Sequence, residues 1–193
     1  MHRLAFGEPV NADVRHAPRP ARKFMPHHRH EYALALADWA NPVGNAIPTA
    51  FVVRTVEPAD LSPLAELMLE AYRNTIDYEG EGLAEAIEEI QRYYSPISDD
   101  PPLPDSSVVI GTGSTLHCAC LIKQWHRRRC PLVGYVICHP AWKQRGLAAS
   151  ALAESLRRLK EAGATQVRAV ITEGNVASER LFLHAGFRKL VSP

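Results

Sequence analysis

The stretch His139-Pro140-Ala141-Trp142-Lys143-Gln144-Arg145-Gly146-Leu147-Ala148 joins an apolar run at residues 132–138 to a segment with helical spacing of its apolar residues. The run is rich in β-branched residues, which is typical of a buried strand. A strand, a glycine-containing loop and a helix together direct several free amide N–H groups to one point. The partial positive charge of a helix N-terminus, with two cations beside it, favours a phosphate group there. An ordinary strand-to-helix connection with solvated cations is the alternative.

The length and composition indicate one soluble domain with an appendage. The chain has 193 residues, of which 46% are hydrophobic, enough for a core. No apolar run approaches the ~20 residues of a membrane span, and the N-terminus has no hydrophobic signal core. Four cysteines lack zinc-ligand spacing, so we expect no metal site and reduced, mostly buried thiols in a cytoplasmic protein. They are Cys118, Cys120, Cys130 and Cys138.

The charges are unevenly distributed along the chain. Residues 49–105 carry three Lys and Arg against thirteen Asp and Glu, whereas residues 106–193 carry thirteen against four. Such asymmetry predicts that the two halves face ligands of opposite charge. The alternative is that both sets are solvated helix faces.

Residues 1–48 differ in composition from the rest of the chain. They mix Pro, Arg, His and Ala without a clear period, which is typical of sequence that cannot bury enough surface to fold. We predict that this segment is disordered or loosely attached, with at most a short helix over residues 31–39. The compact domain is then predicted to span residues 49–193.

Within that domain the pattern predicts a strand, two helices, three strands, a helix, a strand, a helix and a short last strand. The first strand covers residues 50–56. In the second helix Leu83, Ile87 and Ile90 are predicted to face inward, and the glutamates at 85, 88 and 89 outward. Residues 74–82, between the two helices, are dense in carboxylates. They form either a solvated acidic loop or part of a binding site.

Two motifs in this element order resemble the GCN5-related N-acetyltransferase (GNAT) family. The first is similar to the family's acetyl-CoA pyrophosphate loop and reads Pro140-x-x-Lys143-x-x-Gly146-x-Ala148, with Lys143 where Arg or Gln is usual. The second reads Asn175-x-x-Ser178-x-x-Leu181-Phe182 and is followed by Gly186-Phe187. The resemblance covers residues 50–191, and the pair is more specific than either motif alone.

The resemblance implies an α/β fold with a mixed central sheet of about six strands, flanked by four helices. Two parallel strands of that sheet splay apart. Acetyl-CoA is implied as the acyl donor, with its arm along the bulged strand and its pyrophosphate on the loop amides. The implied cofactor-binding residues are Val136, Ile137, Cys138, Lys143, Gln144, Arg145, Gly146, Leu147, Ala148, Asn175 and Ser178.

The implied reaction is direct transfer of an acetyl group to a primary amine of a small molecule or a protein. We expect Asp77, Glu79 and Glu81 to contact this acceptor, because an acidic rim attracts a cationic amine. Neither a membrane nor a nucleic acid is expected as a partner. A role with nucleic acid would use the arginines at 127–129 and the basic N-terminal segment, but one isolated cluster is weak evidence.

The acid and base of the reaction depart from the family pattern. Phe182 stands where the family often has a tyrosine acid, and the strand at 132–138 has no glutamate base. We predict Glu173 as the base, and His184, Tyr135 or a water molecule as the acid. His117 is a further candidate, although a core histidine is the more typical role. The departures make a non-catalytic acetyl-CoA-binding module the alternative function.

The chain ends soon after the second motif. Only six residues follow Phe187, whereas the family usually forms a two-stranded hairpin there. We predict that the last strand is absent or that a partner supplies it in a homodimer.

Overall fold

The computed structural model describes residues 28–41, 47–95 and 97–191. Within these ranges the chain forms seven strands and four α-helices. The strands are Arg29–Ala35 (β1), Val52–Thr55 (β2), Val108–Thr112 (β3), Thr115–Trp125 (β4), Cys130–Cys138 (β5), Gln166–Thr172 (β6) and Arg188–Lys189 (β7). The helices are Leu61–Tyr72 (α1), Leu83–Tyr93 (α2), Leu147–Glu161 (α3) and Val176–His184 (α4).

All seven strands belong to one mixed sheet in the order β2-β3-β4-β5-β6-β1-β7. Strands β5 and β6 are parallel, and the other neighbouring pairs are antiparallel. Helices α1 and α2 cover one face, where Leu64, Met68 and Ile90 are buried. Helices α3 and α4 cover the other face, where Leu152 and Phe182 are buried. The α/β fold predicted from the element order is confirmed.

The N-terminal segment contributes a strand to this sheet, between β6 and the edge strand β7. Strand β1 pairs with β6 along its whole length, from Arg29 opposite Thr172 to Ala35 opposite Gln166. The predicted helix over residues 31–39 is therefore wrong, and residues 28–41 are not loosely attached. The physical reason is a period of two: Tyr32, Leu34 and Leu36 are buried on one face. Residues 1–27, for which disorder is also predicted, lie outside the described residues.

Strand β1 also takes the place of the missing last strand. It pairs with β7 on its second edge, with Tyr32 opposite Lys189, and the backbone N–H of Leu190 donates to the carbonyl of Glu31 over 2.8 Å. No strand follows β7 in the part of the chain that the structure describes. Of the two predicted alternatives, an absent last strand fits the described residues, where β1 of the same chain stands next to β7; a homodimer stays a prediction.

Side-chain contacts anchor β1 to the rest of the domain. The Tyr32 hydroxyl donates to Glu179 Oε1 over 2.6 Å, and burial together with this bond raises the pKa of Tyr32 to about 12. Glu31 accepts from Arg168 over 2.7 Å and also pairs with Arg128. One arginine of the 127–129 cluster therefore serves the fold, which weakens the nucleic-acid hypothesis.

The remaining sequence-based expectations concern cysteines and membranes. Cys118, Cys120, Cys130 and Cys138 are free and buried, as predicted. None of the helices in the described ranges combines the length and the apolar character that crossing a bilayer requires.

Candidate active site

The parallel strands β5 and β6 separate soon after they meet. They pair at Leu132 with Arg168 and at Val133 with Ala169, and beyond these positions none of the described residues pairs with β5 on that side. On the other side of β5, Tyr135 pairs with Leu121 of β4, and Val133 pairs with Ile122 of β4. Gly134 is thus an extra residue in β5, which is a β-bulge. The gap beyond it exposes a backbone edge that can pair with an extended ligand.

A tyrosine from α2 explains why the bulge needs glycine. A Cβ atom on Gly134 would lie 2.8 Å from both Cε2 and the hydroxyl oxygen of Tyr93. Such distances are shorter than van der Waals contact, so any other residue would displace Tyr93 or the strand. The Tyr93 side chain therefore lies directly against the bulge.

An open cleft of about 830 Å³ borders the gap and the bulge. It contains the bulge residues 134–136, the end of β6, the start of α4 and the loop between α1 and α2. Three cationic side chains line it, namely Arg29, Arg92 and Lys123. Seven carboxylates line it as well, namely Asp77, Glu79, Glu81, Glu85, Glu88, Glu89 and Asp100. The excess of carboxylates gives the cleft a negative potential.

A short hydrogen bond joins two residues of the cleft. The Tyr135 hydroxyl donates to Glu89 Oε1 over 2.6 Å, while Glu89 Oε2 accepts from Arg92 over 3.0 Å. Burial and the hydrogen bond to Glu89 raise the pKa of Tyr135 above its ordinary value. Tyr135 therefore stays protonated at neutral pH.

The start of α4 is tied to the acidic loop. The Asn175 side chain accepts from the N–H of Ser178 over 3.1 Å and so caps the helix. Its amide nitrogen donates to Asp77 Oδ2 over 2.7 Å. Asn175, Ser178 and Asp77 all line the cleft, so this bond closes the ring of elements around it.

The predicted phosphate loop lies at the other end of β5. Gly146, the residue before α3, has φ +80° and ψ −6°, and no side chain caps the helix. The first N–H groups of α3 are thus left for another acceptor, and the left-handed backbone there favours glycine. Gln144 also has a positive φ, of +61°. A strand, a loop containing Gly146 and a helix thus follow one another, as predicted.

Aromatic and cationic contacts hold this loop in place. Lys143 Nζ donates to the carbonyl of Ala71 near the end of α1 over 3.2 Å. The Arg145 guanidinium lies 4.7 Å from the centre of the Trp142 ring. The Trp142 ring in turn meets Phe51 edge to face at 5.1 Å. The Lys143 and Arg145 side chains thus contact Ala71 and Trp142, and both cationic groups lie near the loop.

Three predicted acid or base candidates lie away from the cleft. Glu173 does not line it; its side chain is 61% exposed and lies 3.9 Å from His30. His184 is exposed at the C-terminal end of α4. His117 is buried between Phe51 and Trp142 and hydrogen-bonds Thr112 over 2.8 Å. Of the predicted acid and base candidates, Tyr135 is the one that the structure places in the cleft.

The predicted cofactor-binding residues divide into two groups. Val136, Asn175 and Ser178 line the cleft, whereas residues 143–148 lie beyond it at the loop. Ile137 and Cys138 are buried on opposite faces of the sheet, and Leu147 is buried at the start of α3, so only their backbone can reach a ligand. Ala148 is half-buried next to Leu147.

Sequence reasoning missed the contribution of α2. This helix buries Ala86, Ile90 and Tyr93, while Leu83, predicted to face inward, is 44% exposed. The helix is therefore rotated relative to the prediction, and Glu89 faces the cleft instead of open solvent. The apolar spacing at 86, 90 and 93 was the available signal, but Leu83 and Ile87 offered a competing one.

Solved structures show the same fold at low sequence identity. They include a GCN5-related N-acetyltransferase from Sphaerobacter thermophilus (TM-score 0.63, 18% identity, 84% of this chain and 48% of that one). The PaiA N-acetyltransferase from Thermoplasma acidophilum, in complex with coenzyme A, matches with a TM-score of 0.59 and 18% identity over 75% of this chain and 94% of that one. The ribosomal-protein-S18-alanine N-acetyltransferase from Escherichia coli matches with a TM-score of 0.57 and 11% identity over 73% of this chain and 79% of that one. This chain thus spans about half the length of the first of these.

No curated protein sequence matches the chain significantly. The family model described as "Acetyltransferase (GNAT) domain" matches residues 51–188, which is more than half of the chain. The match includes the bulged strand β5, the loop before α3 and the start of α4. The chain therefore belongs to the GNAT acetyltransferase family.

Proposed function

We propose that the chain transfers an acetyl group from acetyl-CoA to a primary amine of a small molecule or a protein. The observation that carries this proposal is the gap beside β5, which begins at the bulge and leads to the uncapped N-terminus of α3. An extended molecule with a phosphate end fits such a path. Four free, buried thiols support a cytoplasmic location.

The residues along this path fit an acyl-CoA. The N–H groups at the start of α3, with Gly146 in the left-handed conformation, would hold the pyrophosphate. The free backbone edge of residues 134–138 would pair with the arm. Lys143 and Arg145 add positive charge that attracts the phosphates, although Lys143 cannot make the bidentate contact that an arginine makes at its position. When bound, acetyl-CoA supplies the acyl group as a thioester.

The cleft indicates the chemistry of the acceptor. Its seven carboxylates outnumber the three cations, so it concentrates positively charged molecules near the bulge. Asp77, Glu79 and Glu81, predicted as acceptor contacts, all line it. We propose that the acceptor amine carries at least one further positive charge outside the reacting nitrogen.

Glu89 and Tyr135 are our proposal for proton handling. The Glu89 carboxylate accepts the proton that the attacking amine loses, and the Tyr135 hydroxyl gives a proton to the leaving sulfur. The 2.6 Å hydrogen bond between them then returns the proton from Glu89 to Tyr135. This replaces Glu173 as the proposed base, because Glu173 does not line the cleft.

The amine specificity tests the proposed function directly. Acetyl-CoA is mixed with a polyamine, a lysine-rich peptide and a neutral aromatic amine, and thiol release is followed. We expect the cationic amines to react fastest, with a KM that rises severalfold between about 0.02 and about 0.2 M ionic strength, because salt screens the cleft. Acetyl-CoA binding without thiol release from any amine would favour the non-catalytic module.

The two glycines that flank α3 provide a matched test of the phosphate loop. Gly146 and Gly163 both have positive φ, +80° and +85°, and a Cβ at Gly163 would meet nothing within 4 Å. Gly146→Ala and Gly163→Ala should each lower the free energy of unfolding by about 1–2 kcal/mol. Calorimetry should show acetyl-CoA affinity falling at least about tenfold in Gly146→Ala alone. Equal affinity in both variants contradicts the assigned loop.

Substitutions at Glu89 and Tyr135 test the proton relay. Glu89→Gln should lower kcat by about 10²-fold, and adding Tyr135→Phe should cost little more, because the two groups act as one unit. The control is Glu88→Gln, since Glu88 lines the cleft beside Glu89 but is exposed. That control should keep kcat within about twofold. Fully multiplicative losses in the double variant would refute a shared relay.

A further inference from the structure

Tyr93 carries a polar group that the fold leaves without a partner. Its side chain is 6% exposed, and its hydroxyl has no hydrogen-bond partner among the described residues. Leaving a buried hydroxyl unpaired costs about 1–3 kcal/mol, so such groups usually await a ligand or a water molecule. Tyr93 also lines the cleft, and its ring and hydroxyl lie against Gly134 at the bulge.

The neighbouring contacts fix the orientation of the Tyr93 ring. The ring lies 5.3 Å from the ring of Tyr135, and Lys123 Nζ lies 5.6 Å from its centre. The buried ring also lies 5.3 Å from the ring of Tyr94, and its hydroxyl lies where Gly134 has no Cβ atom. The hydroxyl is therefore held in position before any ligand binds, which lowers the entropic cost of a contact there.

We propose that the Tyr93 hydroxyl donates a hydrogen bond to the carbonyl oxygen of the acyl group bound at the bulge. The proposal rests on the proposed function and assigns the acyl end of the site to a residue of α2. Tyr93 would thereby distinguish an acylated donor from free coenzyme A, which has no such oxygen. Val136 and the edge of β5 would contact both molecules equally.

The hydroxyl suits a donor that does not give up its proton. Burial raises the pKa of Tyr93 well above its ordinary value, so it stays neutral and protonated. When the amine nitrogen bonds to the carbonyl carbon, the carbonyl oxygen gains negative charge, and the sulfur departs as the C–O double bond re-forms. A fixed donor stabilises that charge more than the neutral carbonyl. Tyr93 keeps its proton throughout, and Glu89 and Tyr135 carry the exchange of protons.

Two single-atom variants on the same helix end test the proposal. Tyr93→Phe removes the proposed donor. Tyr94→Phe removes another buried hydroxyl, which lies beside Ser107, and Tyr94 does not line the cleft. Tyr93→Phe breaks no hydrogen bond among the described residues of the unliganded protein, so it should not lower the unfolding temperature. Calorimetry then gives the Kd of acetyl-CoA and of coenzyme A for each variant and for the unaltered chain.

We expect Tyr93→Phe to weaken acetyl-CoA binding by about five- to tenfold and to leave coenzyme A binding unchanged, as for the loss of one hydrogen bond. Tyr94→Phe should change neither. Equal weakening of both ligands by Tyr93→Phe, no weakening at all, or a lower unfolding temperature would overturn the proposal. Failure of the unaltered chain to bind either ligand would instead overturn the proposed function, and this inference with it.

Infrared spectroscopy gives a readout that does not depend on affinity. Acetyl-CoA labelled with ¹³C at the thioester carbonyl is bound to saturation, and its C=O stretch is compared with that in water-free solvent. A hydrogen bond from Tyr93 should lower the stretching frequency in the unaltered protein and in Tyr94→Phe. The frequency should rise in Tyr93→Phe. The same frequency in all three proteins would show that another group, or none, binds the oxygen.

Discussion

The separation of β5 from β6 after two paired positions is the constraint on which the rest of the site depends. Its cause is local, because the extra residue Gly134 bends β5 where the Tyr93 ring lies against it. A continuous parallel pair would bury the edge of β5, and the gap would not exist. The bulge at Gly134 thus accommodates the Tyr93 side chain of α2 and at the same time leaves the backbone edge of β5 exposed.

The two ends of the gap have opposite chemistry. At one end, the start of α3 offers free N–H groups beside Lys143 and Arg145. At the other end, most of the charged side chains that line the cleft are carboxylates, chiefly from α2 and the loop before it. The acidic and basic halves of the sequence are therefore also separated in the folded structure, with carboxylates at the cleft and cations at the loop before α3. An anionic donor and a cationic acceptor can approach from different sides without competing for the same groups.

Local patterns predicted the fold and the loop better than they predicted the cleft. Gly146 and Asn175 are recognisable from sequence because each satisfies a requirement of its own helix end. Strand β1 escaped prediction because its Ala and Leu residues favour a helix, whereas pairing with β6 selects a period of two. The position of Glu89 in the cleft depends on the rotation of α2, which tertiary packing sets through Ala86 and Tyr93.

The proposed acetyl transfer requires acyl-CoA to lie along β5 between the bulge and α3. Hydrogen–deuterium exchange of the full chain, with and without saturating acetyl-CoA, measures this most directly. We predict slower exchange in residues 134–148 and 172–178 and no change in β1 or residues 126–129. Protection confined to other surfaces, or none along β5 despite measured binding, would contradict the account.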